Sequence, residues 1–208
     1  MDRKHSSDCF SKSTQLACGL TQGMVVAGID YLYATLDRLD ATLIQAGSPR
    51  MAQLVELANL SSMLGNLLAT GIVRNSDGVF DRAGPHKYQD LRATGKHSDH
   101  RHIEVKVSLE TNKPKAHLAK PGDYLTCRYV LGDEKGRFDL SQRGDVVWIW
   151  EVRFGHLDIP HFNISNTEGD SGKTAVVNAS GMDALKIVFF DERFCPYGPR
   201  SKHRLKVW

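Results

Sequence analysis

The run Val146 to Phe154, Val-Val-Trp-Ile-Trp-Glu-Val-Arg-Phe, constrains the fold of this 208-residue chain more than any other stretch. It is apolar at successive positions until Glu151 and Arg153, so neither face of a strand built from it can be given to water. Such a strand belongs in the middle of a sheet that is covered on both sides. The rest of the chain must then supply further strands and the layers that pack on them.

One layer is written into the N-terminal third. From Ser13 to about Ala46, Leu16, Leu20, Met24, Ala27, Tyr31, Ala34 and Leu39 recur at three- and four-residue intervals, which predicts a long first helix ending at Gly47-Ser48-Pro49. A bend at Gly23 or Gly28 is expected. Pro49 follows Ser48 at the first-turn position that proline tolerates, so a second helix is predicted from Pro49 to Ala69. Leu54, Leu57, Leu60, Leu64, Leu67 and Leu68 form its core stripe, and Glu56, Asn59, Met63 and Asn66 an adjoining polar one. That polar stripe is either a solvated face or, with Glu56 and Asn59, a wall of a site. After Thr70-Gly71 the character changes, and Asn75-Ser76-Asp77-Gly78 reads as a tight turn into a β-rich part.

Further strands follow. Tyr124 to Leu131 is predicted as a strand that turns at 132–136 and returns over Arg137 to Leu140. Ile159 to Ile164 is expected to extend the sheet, with Pro160 restricting it to an edge or bend. Ala175 to Val177 reads as strand, Ser180 to Leu185 as a short helix and Lys186 to Phe190 as strand. The expected organisation is a flexible N-terminus (1–12), a helical subregion (13–72) and a β-rich core with a basic tail (73–208), together one compact α/β unit with a mixed central sheet flanked by helices.

Bulk properties bound the function. Twenty-seven Lys and Arg against 24 Asp and Glu give a net charge of +3, which permits a nucleic-acid partner without demanding one. The four cysteines, Cys9, Cys18, Cys127 and Cys195, are scattered without a C-x-x-C pair and read as reduced thiols of a cytoplasmic protein. The polar N-terminus has no apolar stretch of the signal-peptide kind, and the longest apolar run, Leu20 to Ile29, is too short and too polar to cross a bilayer. No membrane association is expected.

The chemistry gathers between Tyr88 and Leu109. Ile103, Val105, Val107 and Leu109 alternate with Glu104, Lys106 and Ser108, so a strand here presents Glu104 and Lys106 on one face. Tyr88 to Leu91 reads as a shorter strand folded back by the polar connection Gly95 to His100, which would bring Asp90 beside Glu104 and Lys106. Two carboxylates and an ammonium suit a divalent cation and the water it activates. Asp99 competes with Asp90 but lies in the turn, from which Glu104's face is harder to reach. His97, His100 and His102 have no accompanying cysteine pair and do not fit the spacing of a closed zinc site.

Asp90 followed by Glu104-x-Lys106 resembles the PD-(D/E)xK nuclease superfamily. Gly84-Pro85-His86-Lys87-Tyr88-Gln89-Asp90-Leu91 resembles the Gly-Pro-x-Lys-Tyr-Pro-Asp-Leu run of type II restriction endonucleases, with Gln89 where that run has proline. The resemblance implies a restriction-endonuclease-like core and cleavage of double-stranded DNA at a specific site. It also implies Mg²⁺, for which Mn²⁺ can substitute, held by Asp90 and Glu104, with Lys106 orienting the attacking water; Glu56, from its place on the polar stripe of the second helix, is a secondary metal candidate. It further implies a homodimer, the N-terminal helices being candidate dimer elements. Lys113, Lys115, His117 and Lys120 in a proline-punctuated loop, Arg137 and Arg143 in the next one, and the basic tail are the DNA-binding candidates. The rivals are a repair or structure-specific nuclease with the same three residues, and a DNA-binding module in which Glu104 and Lys106 are only an ion pair. Gly169 to Thr174 resembles the end of a phosphate-binding loop but lacks its upstream glycine.

Overall fold

The computed structural model describes residues 3, 9, 16–84, 89–97, 99, 101–165 and 174–198. Helix α1 (Gln22–Gln45) starts at Thr21, whose hydroxyl accepts the Met24 N–H, and runs without interruption through Gly23 and Gly28. It begins later than the apolar spacing predicts, because Cys18 and Gly19 both sit at positive φ (64° and 76°), which an α-helix cannot include. The predicted second helix is split. A single turn, α2 (Met51–Leu54), is separated by extended Val55 and Glu56 from α3 (Leu57–Arg74), which continues past the expected end at Ala69. The split leaves Leu54 48% exposed, outside the core stripe to which its spacing assigned it.

Gly28 and Gly71 make the crossing of α1 and α3. A methyl at Gly71 would lie 2.7 Å from Tyr31 Cβ and 2.8 Å from Gly28 Cα, so the two backbones approach as closely as hydrogens allow. Gly28 is thus a contact point and not a bend.

Among the described residues, nine strands form two sheets. The larger has the order β1 (Phe80–Arg82), β2 (Leu91–Ala93), β3 (Ile103–Leu109), β5 (Gly122–Gly132), β6 (Val146–Leu157) and β9 (Lys186–Phe190), and is antiparallel except for the β3–β5 pair. The smaller is β4 (Lys115–Ala116), β8 (Thr174–Val177) and β7 (Phe162–Ser165), all antiparallel. A parallel pair needs a crossover, and here residues 110–121 make it while lending β4 to the small sheet. The 159–164 segment does not extend the main sheet: Ile159–His161 is a 3₁₀ turn and β7 belongs to the small one. Arg137 to Leu140 is not the return strand either. One bridge, Gly132 to Phe138, interrupts a long loop, and β6 itself returns along β5.

Val146 to Phe154 lies inside the sheet, between β5 and the edge strand β9, and is covered on both faces as its composition requires. Leu125, Cys127, Tyr129, Val147, Ile149, Val152 and Phe154 pack with α1 and α3 on one face of the sheet. Val130, Trp148 and Trp150 pack with Phe190 and Phe194 on the other, where Tyr124 and Leu157 meet the small sheet and α4 (Ala179–Ala184). The switch between faces occurs at a β-bulge, where Arg128 pairs with Glu151 and Tyr129 with Ile149, leaving Trp150 as the extra residue. Arg128 therefore stacks on Trp150, 4.2 Å from the ring centroid, while bonding Glu151 in a buried layer.

Candidate active site

Strand β3 carries the site on a free edge. Strand β2 pairs with it only at Leu91 and Ile103, so beyond Ile103 the side of β3 away from β5 has no strand partner among the described residues. The antiparallel β2–β3 hairpin forms as expected, but β2 begins at Leu91, the last residue of the strand expected from Tyr88, leaving Asp90 just outside it. Freed from strand pairing, Asp90 turns its carboxylate onto the exposed edge: the Val105 N–H donates to Asp90 Oδ2 at 2.9 Å. A strand residue's N–H and C=O leave from the same edge, so the Val105 carbonyl is directed to that side as well.

Glu104 is held in a reciprocal manner. The Gln89 N–H donates to Glu104 Oε2 at 2.8 Å, and Lys106 Nζ donates to Glu104 Oε1. Each carboxylate is thus fastened to a backbone amide adjacent to the other acid, which brings Asp90, Glu104 and Lys106 together. Glu104 is 8% exposed, so its charge is removed from water and satisfied by these two donors. Gln89, where the resembling restriction-enzyme run carries proline, has φ 72°, a conformation closed to proline. Pro85, His86, Lys87 and Tyr88 of that run lie outside the described residues.

Asp90 and Lys106 open onto a cavity of about 660 Å³ between α3 and the crossover. Its floor is the free edge of β3, Val105 to Leu109. One wall is the face of α3 made by Ala58, Ser61, Ser62, Gly65 and Asn66; the other is Asn112, Lys113, Lys115, Ala116 and His117, with Arg143 at the rim. Of the six DNA-binding candidates, Lys113, Lys115, His117 and Arg143 line this space. Lys120 and Arg137 do not: the Lys120 carbonyl accepts the Tyr124 hydroxyl, and Arg137 pairs with Asp133, whose carboxyl its backbone N–H holds below the usual range. Residues 199–208, with the tail's Arg200, Lys202, His203, Arg204 and Lys206, lie outside the described residues.

No family model matches the chain, and no curated protein matches it in sequence. Arg143 is held in place by Glu110, which binds its Nε at 2.6 Å and Nη2 at 3.2 Å. Glu110 adopts φ 56°, donates its N–H to the Tyr129 carbonyl and accepts the Trp150 indole N–H, so its left-handed backbone is fixed from both ends. The α3 wall is tied to the sheet by the Ser61–Tyr129 hydroxyl contact of 3.0 Å.

Glu56 is not brought to this cavity. It is the exposed N-cap residue of α3 and makes no side-chain cap bond, and of its predicted polar stripe only Asn66 lines the space. The histidine turn has structural partners. His102 Nδ1 accepts the Ala93 N–H, and His97 Nδ1 accepts the Asp99 N–H. Asp99 accepts the Cys18 N–H and pairs with Arg101, contacts that hold its carboxyl low, the Arg101 bond most strongly. His100 lies outside the described residues.

Among the described residues there is no group of three or more His, Cys, Asp or Glu side chains arranged for a metal. Asp90 and Glu104 nevertheless fit the kind of Mg²⁺ site that takes one or two carboxylates and fills its octahedron with water and substrate phosphate. The α3 wall was the part of the site least visible in the sequence. Its only signal is small residues at positions 58, 61, 62 and 65, the helical spacing that leaves room beside a strand.

Proposed function

We propose that the protein is a Mg²⁺-dependent endonuclease that hydrolyses DNA phosphodiester bonds, acting on double-stranded DNA at a specific site. The observation that carries the reading is the mutual fastening of Asp90 and Glu104 through the Val105 and Gln89 amides, with Lys106 bonded to Glu104 at the mouth of a basic cavity. In this reading Asp90 and Glu104 hold the metal, which when bound supplies Lewis-acid polarisation of the phosphate and a lowered water pKa. Mn²⁺ would substitute. Lys106 orients the attacking water and balances charge that builds on the phosphate oxygens. Lys113, Lys115, His117 and Arg143 neutralise neighbouring phosphates, which makes binding fall with salt.

A homodimer follows from cutting both strands of a two-fold symmetric site. Leu39, Ile44 and Leu54, exposed on α1 and α2, offer apolar surface for it. Among the described residues no helix is long and apolar enough to cross a membrane; a cytoplasmic location is part of the proposal.

The experiment is Lys106→Ala. Cleavage of duplex DNA should fall by about 10²-fold or more, while DNA binding, measured by mobility shift without metal, stays within about threefold because the phosphate contacts remain. A Lys106→Ala protein that cuts at the normal rate would remove the catalytic assignment and leave the rival reading, an ion-paired DNA-binding module.

A further inference from the structure

We propose that the backbone amide of Gln89 is a positioning group that sets the carboxylate of Glu104 for metal binding; the inference rests on the nuclease reading. Among the described residues, Glu104 has one donor on each of its two oxygens. Lys106 is a flexible ammonium that can turn to water or phosphate, whereas the Gln89 N–H is fixed in the backbone and bonds Oε2 at 2.8 Å. When a cation approaches, the mobile lysine can give up Oε1, and the amide keeps the carboxylate from rotating with it. The holding partner is therefore the amide.

The conformation of residue 89 agrees with that role. Its φ of 72° is left-handed, a region in which a residue other than glycine persists only when its surroundings determine it. With this backbone state the Gln89 N–H reaches Glu104 on β3, one residue before Asp90 turns its own carboxylate onto the Val105 N–H. Gln89 and Asp90 thus act as one corner with two bonds to two consecutive residues of β3. Losing the first bond frees Glu104 to follow Lys106; losing the second frees Asp90. The side chain of Gln89 takes no part in either bond, so the requirement is for an N–H and a left-handed backbone, which glycine meets and proline cannot.

The test exchanges the N–H alone. Gln89→Ala is compared with the same protein carrying lactic acid at position 89, which replaces the amide N–H by an ester oxygen and leaves the methyl side chain unchanged. Gln89→Gly serves as the conservative rescue. Duplex DNA cleavage is followed against Mg²⁺ concentration. The ester should need about tenfold more Mg²⁺ for half-maximal rate than Gln89→Ala, as expected for loss of a hydrogen bond to a charged group, while Gln89→Gly stays within about threefold of the parent protein. The metal-free melting temperatures of the ester and Gln89→Ala report any general loosening, which would not by itself move the Mg²⁺ dependence. Equal Mg²⁺ dependence of the ester and Gln89→Ala would overturn the proposal while the nuclease reading stands. A parent protein that cuts no DNA at any Mg²⁺ concentration would overturn that reading, and this inference with it.

Discussion

Replacing Glu151 by alanine tests the buried charged layer on which the sheet depends. Glu151 is 1% exposed and accepts from Arg128 Nε at 2.7 Å, with Arg153 Nη2 at 3.0 Å on its other oxygen. Its removal leaves two guanidiniums, in residues only 2% and 7% exposed, without their anion. Arg128 keeps its stacking on Trp150, and Arg153 keeps the Met182 carbonyl at 2.8 Å, so neither is stripped of every contact. Breaking a buried pair from one side costs about 3–5 kcal/mol. For a chain of this size that corresponds to a drop of about 6–20 °C in melting temperature. Urea unfolding followed by circular dichroism should show the midpoint falling with the slope unchanged. Replacing Arg128, Glu151 and Arg153 together by apolar residues of similar volume should recover most of the loss. A Glu151→Ala protein less than about 1 kcal/mol destabilised would refute the view that this layer is tightly sealed.

Two further outcomes follow from other contacts. Gly71→Ala should destabilise by about 1–2 kcal/mol in urea, because the overpacking against Gly28 Cα and Tyr31 exceeds the gain in helix propensity, whereas Gly65→Ala, whose nearest neighbour would be Val107 at 3.5 Å, should be neutral or stabilising. Burial and then the Asp123 charge push the Cys18 thiol up to about 12 from an ordinary value of 9.0, so the fold favours its neutral form. That stability is fully present below the unfolded value and is lost as pH rises from about 9 towards 12. Urea midpoints should therefore fall on going from neutral pH to above about 9, and less steeply in Cys18→Ala.

What the sequence disclosed and what it concealed divide along physical lines. Strand β3 and strand β9 are visible to the residue, one because its alternation is strict and the other because a short apolar run lies between polar and loop signals. The fastening of Asp90 to β3 was reachable from a hairpin argument, although Asp90 stands just outside the strand. The left-handed residues Cys18, Gln89 and Glu110 were not reachable, since only glycine announces positive φ in a sequence and their backbones are set by partners far along the chain. The bulge at Trp150 was hidden for a related reason: in a run apolar on both faces, a slip of one residue changes which side chain faces where without changing the pattern. The division of the second helix at Val55 and Glu56 left no proline or glycine to mark it, and it displaced Glu56 from the site its spacing suggested.

The central claim is that Asp90, Glu104 and Lys106 form a metal-dependent phosphodiesterase centre. Incubating the purified protein with supercoiled plasmid and Mg²⁺, with an EDTA control and Asp90→Asn beside it, and sequencing the resulting ends tests it most directly. The account predicts discrete fragments with 5′-phosphate ends, formed only with the metal and absent with Asp90→Asn. Plasmid left intact across Mg²⁺ and Mn²⁺ concentrations, or cut equally by Asp90→Asn, would contradict it.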